Sequence, residues 1–128
     1  MAMKLLLYFK ETNSTTKHLQ RVVEKLLPPK GVTSYHSFKT LSARLHQPKN
    51  GLNILVLVAG DVLDLSNFIT LKNTLSEFRI ILVLPDHDEK TLAMGHKIFP
   101  RFVSFTDSNF SDVTLVIKNL LKKQHNNI

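Results

Sequence analysis

Residues 52–59, LNILVLVA, form the most apolar stretch of this 128-residue chain, and they decide its fold. A short apolar run with little polar alternation is typical of a strand that is buried on both faces of a sheet. We therefore predict a central strand here. The run leads directly into Gly60-Asp61, as a buried strand does when it ends at the rim of a sheet. In α/β proteins, residues just beyond such a strand often carry the chemistry.

Four further runs predict the remaining strands, at residues 5–9, 32–36, 79–84 and 101–105. Apolar residues at helical spacing follow each strand, although the periodicity is weaker between residues 86 and 97. The order is thus βα five times, and crossover helices of one hand cover both faces of a parallel sheet. We predict an α/β, flavodoxin-like (βα)5 three-layer sandwich with a parallel five-stranded sheet in the order 2-1-3-4-5. Residues 1–128 are expected to form a single domain.

Composition excludes several classes of protein. Hydrophobic residues make up 43% of the chain and charged residues 21%, which is ordinary for a globular domain. The chain contains no cysteine, which excludes a disulfide framework, a thiol nucleophile and cysteine-ligated zinc. No run approaches the roughly 20 apolar residues of a membrane span, and the short run at 5–9 does not resemble a signal peptide. We expect a cytoplasmic protein with no membrane contact.

Positive charge is concentrated in the first part of the chain. The net charge is +7, and residues 1–50 hold nine Lys or Arg against Glu11 and Glu24, which accounts for all of it. Lys17, Arg21 and Lys25 recur every four residues and so share one helix face. This basic helix face could attract an acidic partner, or it could simply be solvated surface. Nucleic-acid binding is a further alternative, but no recognition motif accompanies the charge.

The five βα units, the apolar third strand and RIILVL at 79–84 resemble the receiver domain of two-component response regulators over nearly the whole chain. That family uses an acidic pair after strand one to hold Mg²⁺ and a phosphoacceptor aspartate at the end of strand three. A Ser or Thr after strand four and a Lys-Pro pair after strand five then sense the phosphoryl group. The resemblance implies a signalling domain whose chemistry depends on these five positions.

The sequence departs from that pattern at the positions that carry the chemistry. Phe9-Lys10-Glu11 follows strand one, so a lysine lies beside a single carboxylate. Val58 or Ala59 occupies the phosphoacceptor position, and Asp61 comes two or three residues later. In an extended chain that delay moves a carboxylate by roughly 6 to 7 Å, whereas phosphoryl transfer tolerates much smaller displacements. We therefore expect Asp61 to be a loop or helix-capping residue rather than a phosphoacceptor.

Strands four and five lack the remaining family residues. Leu84-Pro85 stands where the hydroxyl is expected, and Phe105-Thr106 stands where the lysine and proline are expected. The resemblance therefore implies a degenerate pseudo-receiver: a non-catalytic, phosphorylation-independent signalling module that binds a protein partner. It could be a homodimer or a domain of a larger signalling protein.

The polar residues that follow the strands allow two other interpretations. Glu11, Asp61, Asp86 and Asp107 could converge as a metal site, but acids also cap helices, and we expect caps and no metal. The run 12–16, TNSTT, could bind the phosphate of a ligand such as a flavin, or it could cap the first helix. A flavodoxin-like module for a phosphorylated ligand is therefore an alternative function, although we expect no cofactor.

Two apolar residues are candidates for partner contact. In receivers, the face formed by the fourth helix, the fifth strand and the last helix commonly serves dimerisation or output. Phe102 lies where the family often places its switch aromatic, and Leu115 lies off the main apolar stripe of the last helix. Both could instead be core residues.

Overall fold

The computed structural model describes residues 3–126, with side chains described through residue 123. Five parallel strands form one sheet in the order β2-β1-β3-β4-β5. The strands are β1 (Lys4–Tyr8), β2 (Val32–Tyr35), β3 (Leu52–Val58), β4 (Arg79–Leu84) and β5 (Phe102–Phe105). The predicted flavodoxin-like α/β class and strand order are confirmed, and each observed strand lies within one residue of its predicted bounds.

Six helices connect or follow the strands. They are α1 (Ser14–Glu24), α2 (Phe38–Leu45), α3 (Val62–Thr70), α4 (Lys72–Leu75), α5 (Glu89–His96) and α6 (Ser111–Asn126). The single helix predicted after β3 is divided at Leu71, whose backbone leaves the α region at φ −101° and ψ 11°. Leu71 donates its N–H to the carbonyl of Phe68 at 2.9 Å, a tight turn that keeps Leu71 and Leu75 buried. Within residues 3–126, every helix is too short or too polar to cross a membrane.

The sheet separates two apolar cores. Side chains of a strand alternate between faces, so Ile54, Val56 and Val58 of β3 point to one core. That core is covered by α1 and α6, and we call it the α1–α6 core. Alternate residues of the same strand point to the opposite core, which α2, α3, α4 and α5 cover. Burial on both faces explains why β3 is almost continuously apolar.

The register of the strands brings their carboxyl ends to one edge. Tyr8 pairs with Leu57, Val58 pairs with Val83, and Leu84 pairs with Phe105. The residues that follow β1, β3, β4 and β5 therefore lie side by side. In this topology the edge next to β1 and β3 is the switch point, where the crossover direction changes and a crevice opens.

Candidate functional site at the carboxyl edge of the sheet

A cleft of about 270 Å³ opens at the switch point. Its lining comes from the segments that follow β1, β3, β4 and β5, together with the first turns of α1 and α3. The lining residues are Phe9, Lys10, Glu11, Asn13, Thr15, Thr16, Val58, Gly60, Asp61, Asp64, Pro85 and Thr106. This set, called the cleft below, contains both the Asp61 loop and most of the polar run after β1.

On the β1 side of the cleft, polar side chains cap the first turn of α1. Asn13 is the N-cap of α1, and its side-chain oxygen accepts a hydrogen bond from the Thr16 N–H at 2.9 Å. The Thr16 hydroxyl in turn accepts from the Asn13 N–H at 2.9 Å and lies 3.0 Å from the Glu11 carbonyl, to which it can donate. This reciprocal pair is a capping box, which satisfies amides that an α-helix leaves without partners. The capping interpretation of the run 12–16 is confirmed in these contacts.

On the β3 side of the cleft, a carboxylate caps α3 in a similar way. Asp61 is the N-cap of α3, and its Oδ1 accepts from the Asp64 N–H at 2.9 Å. Asp64 reaches back with Oδ2, which accepts from the Gly60 N–H at 2.8 Å. The helix-capping role predicted for Asp61 is therefore present. A charge-assisted bond of this kind is stronger than a neutral one, so both carboxylates help to hold the loop.

Asp64 is a site residue that sequence reasoning missed. It is only 3% exposed, yet it lines the cleft. The signal was its spacing, because Asp61 and Asp64 are three residues apart, as the two members of a capping box are. The sequence-based expectation took in only the acids that directly follow the strands, and Asp64 lies within α3.

The end of β3 itself belongs to the cores. Val58 is 4% exposed and packs in the α1–α6 core, while Ala59 is fully buried in the opposite core. These are the two residues that match the phosphoacceptor position of the receiver family. Their side chains therefore contribute apolar packing at the point where the family carries a reactive carboxylate.

The cleft has an acidic character. Three carboxylates, from Glu11, Asp61 and Asp64, line it together with one lysine, Lys10. Burial raises the pKa of the neighbouring Tyr8 phenol, and the negative charges of Asp64 and Asp61 raise it further. Within the described residues, no group of three or more His, Asp or Glu side chains is arranged to hold a metal ion.

The side of the cleft next to β4 and β5 is formed by Pro85 and by Thr106, whose hydroxyl already makes a hydrogen bond within the protein. Pro85 follows β4, and the Thr106 hydroxyl donates to the Pro85 carbonyl at 3.3 Å. Beyond the cleft, His87 Nε2 lies 3.1 Å from an Asp107 carboxylate oxygen and its ring stacks on Phe105 at 3.7 Å. This pair links two neighbouring loops at the exposed surface.

The expectation that the four acids after the strands cap helices is correct only for Asp61. Asn13 caps α1 in place of Glu11, and Asp88 occupies the N-cap position of α5 in place of Asp86. Asp86 instead accepts a hydrogen bond from the Asp88 amide at 3.0 Å, and the nearby Thr91 side chain and this amide lower the pKa of its carboxyl. Asp107 pairs with His87, and α6 begins four residues later at Ser111.

The candidate partner residues lie elsewhere on the molecule. Leu115 is 61% exposed on α6, as partner contact requires. Phe102 is half-buried and packs against the α1–α6 core. Lys17 and Arg21 are exposed on α1, and Lys25 is exposed as the residue that ends it. None of these five residues lines the cleft.

Comparison with known proteins rests on structure alone. No protein-family model matches the chain, and no curated protein matches it in sequence. Among solved structures, it is similar to a protein described as pilus assembly-related from Burkholderia pseudomallei K96243, with a TM-score of 0.71 and 18% identity over 94% of this chain and 90% of that one. A protein described as a pilus assembly protein from Burkholderia thailandensis E264 gives a TM-score of 0.69 and 18% identity, over 94% of this chain and 98% of the other.

A third similar structure is a phosphorylated cyanobacterial phytochrome response regulator, with a TM-score of 0.67 and 13% identity. The match covers 93% of this chain and 91% of that one. The fold is receiver-like. Identities this low show a shared fold alone, since one fold serves many functions.

Proposed function

We propose that this chain is a non-catalytic signalling module of pseudo-receiver type, which binds a protein partner without phosphorylation. The observation that carries the proposal is the end of β3, where Val58 and Ala59 are buried in the cores and the Asp61 carboxylate caps α3. The receiver-like fold supports a signalling module, and the altered cleft supports a loss of phosphoryl chemistry.

The remaining residues of the cleft support the same conclusion. Mg²⁺ requires carboxylate oxygens that are free to bind it, and it bridges them to phosphoryl oxygens. Here Lys10 lies beside Glu11, and Asp64 is held by the Gly60 amide. The hydroxyl of Thr106 is directed to the Pro85 carbonyl, and no lysine stands at that position to sense a phosphoryl group.

A cleft for a phosphorylated ligand or flavin is the weaker alternative. The Asn13 and Thr16 side chains that would meet a phosphate each accept a hydrogen bond from the other residue's backbone N–H already. Glu11, Asp61 and Asp64 would repel an anion at short range. Thermal-shift measurements with flavins and nucleotides test this alternative, and stabilisation by any of them would favour it.

Intact mass spectrometry after incubation with acetyl phosphate and Mg²⁺ tests the proposed function. We expect no phosphoryl adduct under conditions that modify an active receiver domain in a parallel reaction. Asp61→Asn and Asp64→Asn serve as matched variants, since each removes one carboxylate from the cleft while keeping its shape. An adduct on the unaltered chain that Asp61→Asn abolishes would overturn the proposal.

A further inference from the structure

Helices α1 and α6 lie side by side on the same face of the sheet. Leu19 and Val23 of α1 share the α1–α6 core with Val113 and Ile117 of α6. At the start of both helices, His18 Nε2 lies 3.2 Å from the carbonyl oxygen of Asn109. Both helices run back from the carboxyl edge of the sheet to its amino edge, because each follows a parallel strand.

The contacts also show which flank of each helix faces the other. His18 marks the α6 side of α1, and at 100° per residue Arg21 and Lys25 lie on that side or at the top of the helix. On α6, Asp112 accepts a hydrogen bond from the Ser104 hydroxyl of β5 at 2.8 Å, so its flank faces β5. Lys118 lies on the other flank, toward α1.

The two helices therefore present one continuous basic surface, which we call the α1–α6 basic face. It consists of Lys17, Arg21 and Lys25 from the first helix and its end, and Lys118 and Lys122 from the last, with Leu115 among them. All six side chains are exposed. Within the described residues, none of the five cations forms an ion pair.

The acidic residues of these helices lie at the two edges of this face. Glu24 lies on the flank of α1 away from α6, next to Lys17, and its Oε2 accepts a hydrogen bond from the Gln20 side-chain amide at 3.5 Å. Asp112 accepts from Ser104 and from the Ser108 hydroxyl, the latter at 3.1 Å. The face thus carries five cations against one exposed neighbouring carboxylate, that of Glu24, and its net positive charge produces a field that attracts anionic partners.

We infer that the α1–α6 basic face binds an acidic protein segment that also carries an apolar side chain for Leu115. This inference rests on the proposed function, because it specifies the partner of the interaction module. Opposite charges would steer the encounter of the two proteins. Contact between Leu115, the aliphatic stems of the neighbouring lysines and an apolar side chain of the partner would then stabilise the complex.

Two other occupants fit the surface less well. A nucleic acid would use the charges, but its phosphate backbone would leave Leu115, which is 61% exposed, without an apolar partner. A second copy docked symmetrically through this face would place the same cations opposite one another, and like charges across an interface oppose association. The acidic, partly apolar segment uses both features of the surface.

Binding of defined helical peptides by the full chain tests the inference, with fluorescence anisotropy as the readout. The first probe carries a Glu-rich face and a leucine stripe. The second has each Glu replaced by Gln, and the third keeps the acids but has Ser in place of Leu. We expect the first probe to bind at least tenfold more tightly than the second, and at least about threefold more tightly than the third.

Charge reversal on the protein provides the matched variants. The double variant Arg21→Glu with Lys118→Glu should weaken binding of the first probe by about tenfold or more. The control double variant, Lys39→Glu with Lys72→Glu, makes the same change in net charge at exposed positions over the opposite core. The control should stay within about twofold of the unaltered chain, and Leu115→Ser should weaken binding by about fivefold.

Three results would overturn the inference. The first is equal binding of the acidic and neutral probes, or binding of neither. The second is an equal loss in both double variants, which would indicate net charge rather than this face. The third is tighter binding of duplex DNA or of anionic phosphatidylserine vesicles than of the acidic peptide, with no effect of Leu115→Ser.

The phosphorylation assay separates failure of this inference from failure of the proposed function. If the chain takes no phosphoryl group and the acidic probe does not bind, the inference about the partner is wrong and the phosphorylation-independent module stands. If Asp61 accepts a phosphoryl group, the proposed function is wrong even where the peptide binds.

Discussion

The cleft and the α1–α6 basic face use their charged side chains in opposite ways. In the cleft, the Asp61 carboxylate accepts a hydrogen bond from the Asp64 N–H at 2.9 Å, and the Asp64 carboxylate accepts one from the Gly60 N–H at 2.8 Å. On the basic face, Lys17, Arg21 and Lys118 extend into solvent, and within the described part of the chain they form no ion pair. The charged groups of the cleft stabilise local structure, whereas those of the basic face are available to bind another molecule.

This difference supports the proposed function, in which the cleft residues stabilise the receiver-like fold and the basic face binds a partner. Capping and core packing at a strand end add stability to the fold. Exposed like charges on neighbouring helices do not stabilise the chain, since they repel one another. We therefore expect substitutions in the cleft to alter stability and substitutions on the basic face to alter binding.

The strongest test of the comparison is Val58→Asp, which places a carboxylate at one of the two positions that match the family's phosphoacceptor. Because Val58 is 4% exposed in the α1–α6 core, the buried charge should lower the free energy of unfolding by about 3 to 5 kcal/mol. Urea denaturation measures this loss. Val62→Asp is the matched control, since Val62 is 48% exposed, and it should cost less than about 1 kcal/mol. Equal effects would contradict the assignment of Val58 to the core.

The next largest effect is expected for Asp64→Ala. This change removes the buried carboxylate that accepts from the Gly60 amide, a charge-assisted hydrogen bond, and should lower the free energy of unfolding by about 2 kcal/mol. Asp64→Asn keeps a side-chain oxygen and should cost about half as much. Denaturation of the two variants in parallel checks the order, and a larger loss for Asn than for Ala would contradict the role given to this hydrogen bond.

Removal of the cap on α3 should have a smaller effect. Asp61→Ala leaves the Asp64 amide without its acceptor and should cost about 1 kcal/mol, while Asp61→Ser should restore most of that stability because serine also caps helices. Thermal unfolding of the three proteins gives the comparison. If Asp61→Ala is as stable as the unaltered chain, the carboxylate has no capping role in stability.

Leu115→Ala should leave stability within about 0.5 kcal/mol, because the side chain is 61% exposed. Its near neighbour on the buried side of α6 provides the contrast, since Ile117 is fully buried and Ile117→Ala should cost about 2 to 4 kcal/mol. Urea denaturation distinguishes the two. A large loss for Leu115→Ala would indicate a structural role and weaken its assignment to partner contact.

A pH dependence of stability is the smallest effect expected from the cleft. Burial and the charges of Asp64 and Asp61 raise the pKa of Tyr8 above its usual value of 10.0 in the folded state. The folded chain therefore holds this proton more tightly than the unfolded chain. Its contribution is present below about pH 10 and is lost as the pH rises through the folded pKa.

The variant Tyr8→Phe isolates this contribution. The unaltered chain should lose stability more steeply than Tyr8→Phe above about pH 10, as measured by urea denaturation across a pH series. Parallel curves for the two proteins would show that Tyr8 does not contribute to the alkaline loss.

The sequence by itself determined the architecture. Short apolar runs separated by residues at helical spacing require crossover helices, and these place both faces of the sheet in contact with cores. It also predicted that Asp61 is a loop or helix-capping residue, because a carboxylate two or three residues past the matching position lies beyond the end of the strand, and the structure shows the cap. These features depend on periodicity and position within one βα unit, which the sequence displays directly.

Only the tertiary structure decided how separate units meet. It half-buried Phe102 against the α1–α6 core and set α1 beside α6. The periodicity of one helix reports which side is apolar, but it carries no information on which distant helix packs beside it. The cations of α1 and α6 are about a hundred residues apart in the sequence, and they form one surface because both helices cover the same face of the sheet.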